Sequence, residues 1–133
     1  MDVLSGVPQG SVLGPLLFVI FINDIEVGLK GKILKFADDT KLFGVVATPE
    51  QVNQMREDLR MLCKWSEEWL MLFNVDKCKV MHFGVNNIGD KYLIGNKQLD
   101  VLERERDMGF IISKDLKVSY QCSKVVGIAH RLL

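Results

Sequence analysis

The sequence has no excess of charge of either sign, since 17 basic and 17 acidic side chains cancel over its 133 residues. No global positive field is therefore present to hold a polyanion, although a local basic strip could still do so. The balance argues against a nucleic-acid binder that works through net charge alone. Hydrophobic residues make up 48% of the chain, enough to bury the core of one domain, so a disordered protein is not expected.

Cysteine is scarce, and long apolar runs are missing. The three cysteines are odd in number and show no CxxC spacing, so neither a disulfide framework nor a zinc site is indicated. The longest apolar run extends only from Leu16 to Ile22, whereas a helix needs about 20 residues to cross a bilayer. The first residues also lack the basic region of a signal peptide. We therefore expect an intracellular protein without a membrane partner, with nucleus or cytoplasm left open.

Glycine and proline are concentrated in one segment near the start, SGVPQGSVLGP at residues 5–15. Such a density predicts a structured loop. Glycines allow close backbone approach to a substrate, and polar side chains can bind it. The residues with these properties are Gly6, Gly10, Gly14, Gln9 and Ser11. The alternative is a loop whose glycines serve only the entry into a helix.

Two elements are predicted directly after this loop. Residues 15–27 are apolar nearly all round, with Pro15 suited to the first helical turn and Gly28 to the end, so we predict a buried helix, with a strand as the weaker option. Residues 32–37 and 40–46 have strand-like composition and only Asp38-Asp39 between them, which predicts a tight hairpin. Both carboxylates would then lie at its tip, where Asp tolerates positive φ better than most residues.

An adjacent pair of aspartates is by itself usually a solvated turn. In this context, however, apolar strands on both sides direct two like charges to one spot, where their repulsion is costly unless a cation or water relieves it. Mg²⁺ prefers such hard oxygen ligands, typically one or two carboxylates together with substrate phosphates. Two such ions could activate an attacking 3′-hydroxyl and stabilise departing pyrophosphate. Asp38 and Asp39 are therefore candidate metal ligands of a nucleotidyl transferase.

The rest of the chain reads as helices joined by short strands. Thr48-Pro49-Glu50-Gln51 has the features of a helix start with a capping box, and an apolar stripe then runs to about Met71. For Trp65 and Trp69 on that helix, core packing is favoured over base stacking. The remaining predictions are a strand at 79–83, a hairpin of 92–94 with 98–102 across Gly95-Asn96, an exposed connection at 103–106, a strand at 107–112 and a final helix at 118–133.

Three motifs follow one another: SGVPQGSVLGPLLF at 5–18, INDI at 22–25 and FADDTKL at 36–42. In this order and at this separation they resemble the palm of non-LTR retrotransposon reverse transcriptases of the LINE type, jockey-like elements in particular. The resemblance covers essentially the whole chain. It continues at residues 65–69, 73–74, 77–78, 81–84, 107–112 and 115–117.

The resemblance implies an α+β fold, a reverse transcriptase palm with an antiparallel sheet and packed helices. Residues 1–117 would form a partial palm, and residues 118–133 would begin a thumb helix. The implied reaction is RNA-templated DNA synthesis from deoxynucleoside triphosphates on a DNA primer, with Mg²⁺ or Mn²⁺ as cofactor. The parent element would use it to copy its RNA into a nicked chromosomal site.

Site roles are carried over by position. Asp38 and Asp39 resemble the metal-ligating catalytic pair, and Lys77 falls where the family has a lysine near the departing phosphates, with a general-acid role left open. Met108-Gly109 lies in the segment that resembles the primer grip. The residues that would lie against nucleotide or template are Gly6, Pro8, Gln9, Gly10, Ser11, Phe36 and Ala37.

One departure from the family pattern is an absence. In the family another catalytic aspartate lies on a palm strand well upstream of the PQG loop, preceded by basic fingers residues, and this sequence begins too late to contain either. We therefore expect a truncated reading frame, no polymerase activity from the chain alone, an uncovered apolar helix face and marginal solubility. Two rival hypotheses stay open: a decayed relic without enzymatic function, and a palm remnant that binds RNA or a protein.

Overall fold

The computed structural model describes residues 10–132, with side chains for residues 10–131. Three helices and eight short strands occur in that range, which makes the predicted α+β class correct. The predicted antiparallel sheet is not formed there: the strands associate as four separate pairs, three antiparallel and one parallel. In chain order the elements are α1 (Leu13–Phe21), β1 (Lys32–Phe36), β2 (Asp39–Phe43), α2 (Pro49–Glu68), β3 (Lys79–Val80), β4 (Leu93–Ile94), β5 (Lys97–Gln98), β6 (Asp100–Val101), β7 (Arg104–Asp107), β8 (Phe110–Ser113) and α3 (Ser119–Leu132).

Helix α1 is shorter and more exposed than predicted. Pro15 lies in its first turn as expected, but the α-helix ends at Phe21 and a series of turns follows as far as Gly28, whose φ is +85°. The prediction of a buried helix is wrong, because Gly14 is the only buried residue of α1 and large apolar side chains such as Ile20, 63% exposed, face solvent. The uncovered apolar helix face is thus present in the structure.

The hairpin β1–β2 is held by the helix that follows it in the chain. The carboxylate of Asp58 on α2 is fully buried and accepts hydrogen bonds from the backbone N–H groups of Lys30 (3.1 Å) and Gly31 (2.7 Å), and from Gln54 (3.0 Å). A Cβ at position 31 would come within 2.9 Å of the Phe43 carbonyl oxygen, so this position needs glycine. The contact fixes where β1 begins.

Helix α2 begins as the sequence predicts. Thr48 is the N-cap, Pro49 occupies the first turn and Gln51 completes the capping box. Its buried face differs from the predicted stripe at three positions. Trp69 is 46% exposed, whereas Asp58 and Trp65 are buried. Trp65 donates its indole N–H to Asp24 Oδ1 (3.0 Å) and packs edge-on against Phe21, which confirms a packing role for this residue.

The second half of the chain contains the predicted Gly95-Asn96 hairpin, here β4–β5. The predicted strand at 79–83 is reduced to β3, which pairs in parallel with β6. The single strand predicted at 107–112 is wrong, because Met108-Gly109 forms a turn. The predicted connection at 103–106 instead supplies β7, which pairs with β8 in a second hairpin. The final helix agrees with the prediction to within one residue over its described part.

Two apolar clusters include residues of α2, one nearer the end of the helix and the other nearer its start. The first consists of Ile22, Ile25, Leu62 and Trp65, with Phe18, Ile33 and Leu42 packed against it. The second consists of Val46, Val52, Tyr92 and Leu99. Among residues 10–132, no helix is both long enough and apolar enough to cross a bilayer.

Candidate active site at the β1–β2 hairpin

The aspartate pair lies at the end of the hairpin, although not in the predicted arrangement. The two turn residues are Ala37 and Asp38, whereas Asp39 is the first residue of β2 and pairs with Phe36. Positive φ is found at Ala37 (+51°) and not at the aspartates. The two carboxylates are thus neighbours at the tip, one from the turn and the other from the strand.

The two faces of this hairpin differ. Side chains alternate between the faces of a strand, so Ile33 and Leu42 face the first apolar cluster while Asp39 lies on the opposite face. That outer face also carries Phe36, 59% exposed, and Lys41. The core therefore fixes the hairpin through one face and leaves Asp39 directed away from it.

The donor chemistry of the pair fits a divalent cation. Both aspartates are exposed, and within residues 10–132 neither is joined to another side chain by a hydrogen bond or an ion pair. Mg²⁺ commonly takes one or two carboxylates and leaves its other positions to water and phosphate oxygens. No cluster of three or more His, Cys, Asp or Glu suited to a metal occurs in the described part of the chain. The pair is therefore a set of two ligands, sufficient for part of a metal site only.

The glycine-rich loop is only partly described. Gly6, Pro8 and Gln9 lie outside the described residues, so their predicted contact with nucleotide or template stays a prediction. Gly10 is exposed with φ +82°, and the Ser11 hydroxyl accepts a hydrogen bond from the Gly14 N–H (3.0 Å) at the start of α1. The described end of the loop thus serves helix entry, and it remains compatible with a substrate role.

The other candidate residues lie on separate elements. Lys77 is exposed in the turn before β3, and among residues 10–132 neither a hydrogen bond nor an ion pair joins it to the aspartates. Met108 and Gly109 form the two-residue turn of β7–β8, both with positive φ (+46° and +89°), as in type I′ turns. One ion pair, between Lys41 of β2 and Asp107 of β7, connects the β7–β8 hairpin to the β1–β2 hairpin.

Comparison with known proteins assigns the family. The profile described as "Reverse transcriptase (RNA-dependent DNA polymerase)" matches residues 3–124. The chain belongs to the reverse transcriptase family. The resemblance to reverse transcriptases of non-LTR elements, drawn from the motifs, is thereby confirmed. No solved structure matches this reverse transcriptase chain significantly.

Curated relatives come from mobile elements of flies. The chain is 32% identical over 126 residues to the RNA-directed DNA polymerase from mobile element jockey of Drosophila funebris, covering 84% of this chain and 13% of the relative. It is 31% identical over 93 residues to the jockey polymerase of Drosophila melanogaster (61% and 10%). It is 33% identical over 82 residues to the probable RNA-directed DNA polymerase from transposon BS of Drosophila melanogaster (55% and 9%). The chain spans about a tenth of the length of these relatives.

Sequence reasoning missed three residues that position this reverse transcriptase hairpin. Asp58 lies on the buried stripe of α2 one turn before Leu62, and an acid on an apolar stripe is a signal for a buried polar contact. Lys41 and Asp107 are 66 positions apart, and nothing local in the sequence predicts that they meet.

Proposed function

We propose that this chain carries part of the catalytic site of an RNA-directed DNA polymerase, in which Asp38 and Asp39 bind the catalytic divalent cation, Mg²⁺ or Mn²⁺. The observation that carries the proposal is the pair of exposed carboxylates at the end of a hairpin whose opposite face is packed on the core. A rigid support of this kind keeps two like charges together without a protein counter-charge, which favours cation binding.

The remaining parts of the proposal follow from position in the chain. The loop that contains Gln9 and Gly10 would lie against nucleotide and template, together with Phe36 and Ala37. Lys77 would approach the departing phosphates. The exposed turn of Met108 and Gly109 would face the primer, and α3, which packs on β8, would begin the thumb that follows a palm of residues 1–117. Template RNA, DNA primer and deoxynucleoside triphosphates are the proposed partners in an intracellular setting.

Divalent cations at such a site would activate the attacking 3′-hydroxyl and stabilise the departing pyrophosphate. The chain's own contribution is to hold two adjacent carboxylates in a fixed orientation. Two adjacent carboxylates supply only part of the ligands of a two-metal site, and the family resemblance implies that a further aspartate completes it. We therefore expect no primer extension on an RNA template from the purified chain alone. Extension that Asp38→Ala abolishes would contradict this expectation.

The metal-binding step can be tested without catalysis. Adding Mn²⁺ to the isotopically labelled chain should broaden the amide resonances of residues 37–40, because a bound paramagnetic ion relaxes nearby nuclei. The broadening should disappear in Asp38→Asn and Asp39→Asn. Asp76→Asn is the matched control, since Asp76 is also an exposed turn aspartate but pairs with Lys97. Equal broadening in all three variants would overturn the proposed metal site.

A further inference from the structure

The outer face of β2 carries a positive charge beside the candidate metal ligands. Lys41 lies two residues after Asp39, and residues two apart on a strand point to the same face, about 6.6 Å apart. A lysine side chain is long enough to span that gap. An ammonium group resting against Asp39 would neutralise the carboxylate and compete with a cation for it.

In this structure the ammonium of Lys41 is bound elsewhere. Its Nζ donates to Asp107 Oδ2, at the end of β7 beside the Met108-Gly109 turn. Both side chains are partly buried, with 35% of Lys41 and 22% of Asp107 exposed. The pair is therefore screened less by salt than a fully exposed pair. The ammonium of Lys41 therefore contacts Asp107, and among the described residues no ion pair or hydrogen bond joins it to Asp39.

We propose that Asp107 is a positioning residue that holds Lys41 away from Asp39 and so keeps the Asp38–Asp39 carboxylates available to a divalent cation. The inference rests on the proposed function, because it concerns the same metal-binding pair. It assigns a role to an ion pair between two hairpins that are distant in the sequence. The ion pair links the β7–β8 hairpin, which carries the Met108-Gly109 turn, to the β1–β2 hairpin, which carries the Asp38-Asp39 tip.

This mechanism can be distinguished from a simple tether between the two hairpins, because the two predict different directions of change in cation binding. If the ion pair only held the two hairpins together, removing either partner would impair the site in the same way. If Asp107 restrains Lys41, Asp107→Asn releases the lysine onto Asp39 and weakens cation binding. Lys41→Gln removes the competing charge and does not weaken binding. The two substitutions therefore act in opposite directions.

The first experiment measures the Mn²⁺ concentration for half-maximal broadening of residues 37–40 in the full chain. We expect Asp107→Asn to raise this concentration about threefold, the size typical of one ion pair near the protein surface, and Lys41→Gln to lower it or leave it unchanged. The double variant should match Lys41→Gln, because without the lysine Asp107 has nothing to restrain. Asp107→Glu should retain the wild-type value.

Asp100→Asn is the matched control, since it also removes one carboxylate charge from an ion pair with a lysine, Lys79 (2.7 Å), in β3–β6. It should leave the half-maximal concentration unchanged. Asp107→Asn could also have the same effect on the half-maximal Mn²⁺ concentration with and without Lys41. In that case the loss of the Asp107 negative charge acts directly on the metal site, and the inference fails. It also fails if Asp107→Asn and Lys41→Gln both weaken binding.

A second measurement needs no metal. In Asp107→Asn the carboxyl carbon resonance of Asp39 should shift at constant pH, because Lys41 moves against it, whereas in the double variant it should stay at its Lys41→Gln position. An unchanged Asp39 resonance in Asp107→Asn would overturn the inference. If Mn²⁺ fails to broaden residues 37–40 in the wild type but the Asp39 shift occurs, the proposed metal site fails while the restraint of Lys41 stands.

Discussion

Two of the hairpins with two-residue turns, β1–β2 (the first hairpin) and β7–β8 (the second hairpin), are stabilised in different ways. The first packs Ile33 and Leu42 against an apolar cluster and is anchored by the buried Asp58. The second exposes half of its strand residues, including Phe110 at 64%. It is held by polar contacts: the Ile111 N–H donates to Gln121 Oε1 (3.0 Å), and the Arg104 guanidinium lies 4.4 Å from the Tyr120 ring centroid.

This difference explains which hairpin could be recognised from the sequence. Apolar and β-branched residues around the aspartate pair identify the first, because burial of one face has a sequence signature. The alternating charges at 103–106 give no indication of the second hairpin. Its strands depend on contacts with α3 and with Lys41, which the local sequence does not encode. We therefore expect a large loss of stability when the one buried polar anchor of the first hairpin is removed. In the second hairpin, each polar contact should contribute a smaller amount of stability.

The largest effect is expected from Asp58→Ala. It removes the buried carboxylate that accepts hydrogen bonds from the N–H groups of Lys30 and Gly31, which should lower the free energy of unfolding by about 3 kcal/mol. Chemical denaturation followed by tryptophan fluorescence measures this change. Asn53→Ala, on the exposed side of the same helix, should change it little. Equal effects of the two substitutions would mean that Asp58 does not anchor the hairpin.

A smaller and more local loss is expected from Ser113→Ala. Ser113 is buried, and its hydroxyl lies 2.6 Å from Asp115 Oδ1 and 3.2 Å from the Lys117 carbonyl oxygen. Loss of this contact should cost about 1 kcal/mol, seen as faster amide exchange in β7–β8 but not in β1–β2. Ser123→Ala, on the exposed surface of α3, is the control. A uniform acceleration in both hairpins would contradict the separate stabilisation of the two.

Acid should weaken the second hairpin further. Hydrogen bonds from Ser113 and from the Lys117 N–H hold the pKa of Asp115 below its usual value. Because the pKa of Asp115 is lower in the folded state than in the unfolded state, its ionised form stabilises the fold. This contribution is fully present above the unfolded pKa of about 4. It is lost as the pH falls through the pKa of the folded state. The protection factors of the β7–β8 amides, which are corrected for the intrinsic pH dependence of exchange, should therefore fall below about pH 4. In Asp115→Asn this fall should shrink, and an unchanged pH profile would contradict the contribution of Asp115.

The smallest effect concerns the turn of the second hairpin. Met108 has φ +46°, a conformation that asparagine adopts more easily than methionine. Met108→Asn should slow amide exchange in β7–β8 by an amount equivalent to about 0.5 kcal/mol. Met108→Leu retains the strain and should leave the exchange rates unchanged. Faster exchange in Met108→Asn would show that the methionine side chain contributes more than its backbone strain costs.

The sequence by itself determined the α+β class, the start of α2 at Thr48, the hairpin around the aspartate pair and the family. Each of these depends on neighbouring residues, through capping, turn geometry or alternation. Tertiary structure alone decided that Asp58 supports Gly31 and that Lys41 meets Asp107. These contacts join residues 27 or more positions apart. Local patterns carry no information about them, because only the packed chain brings such groups within hydrogen-bonding distance.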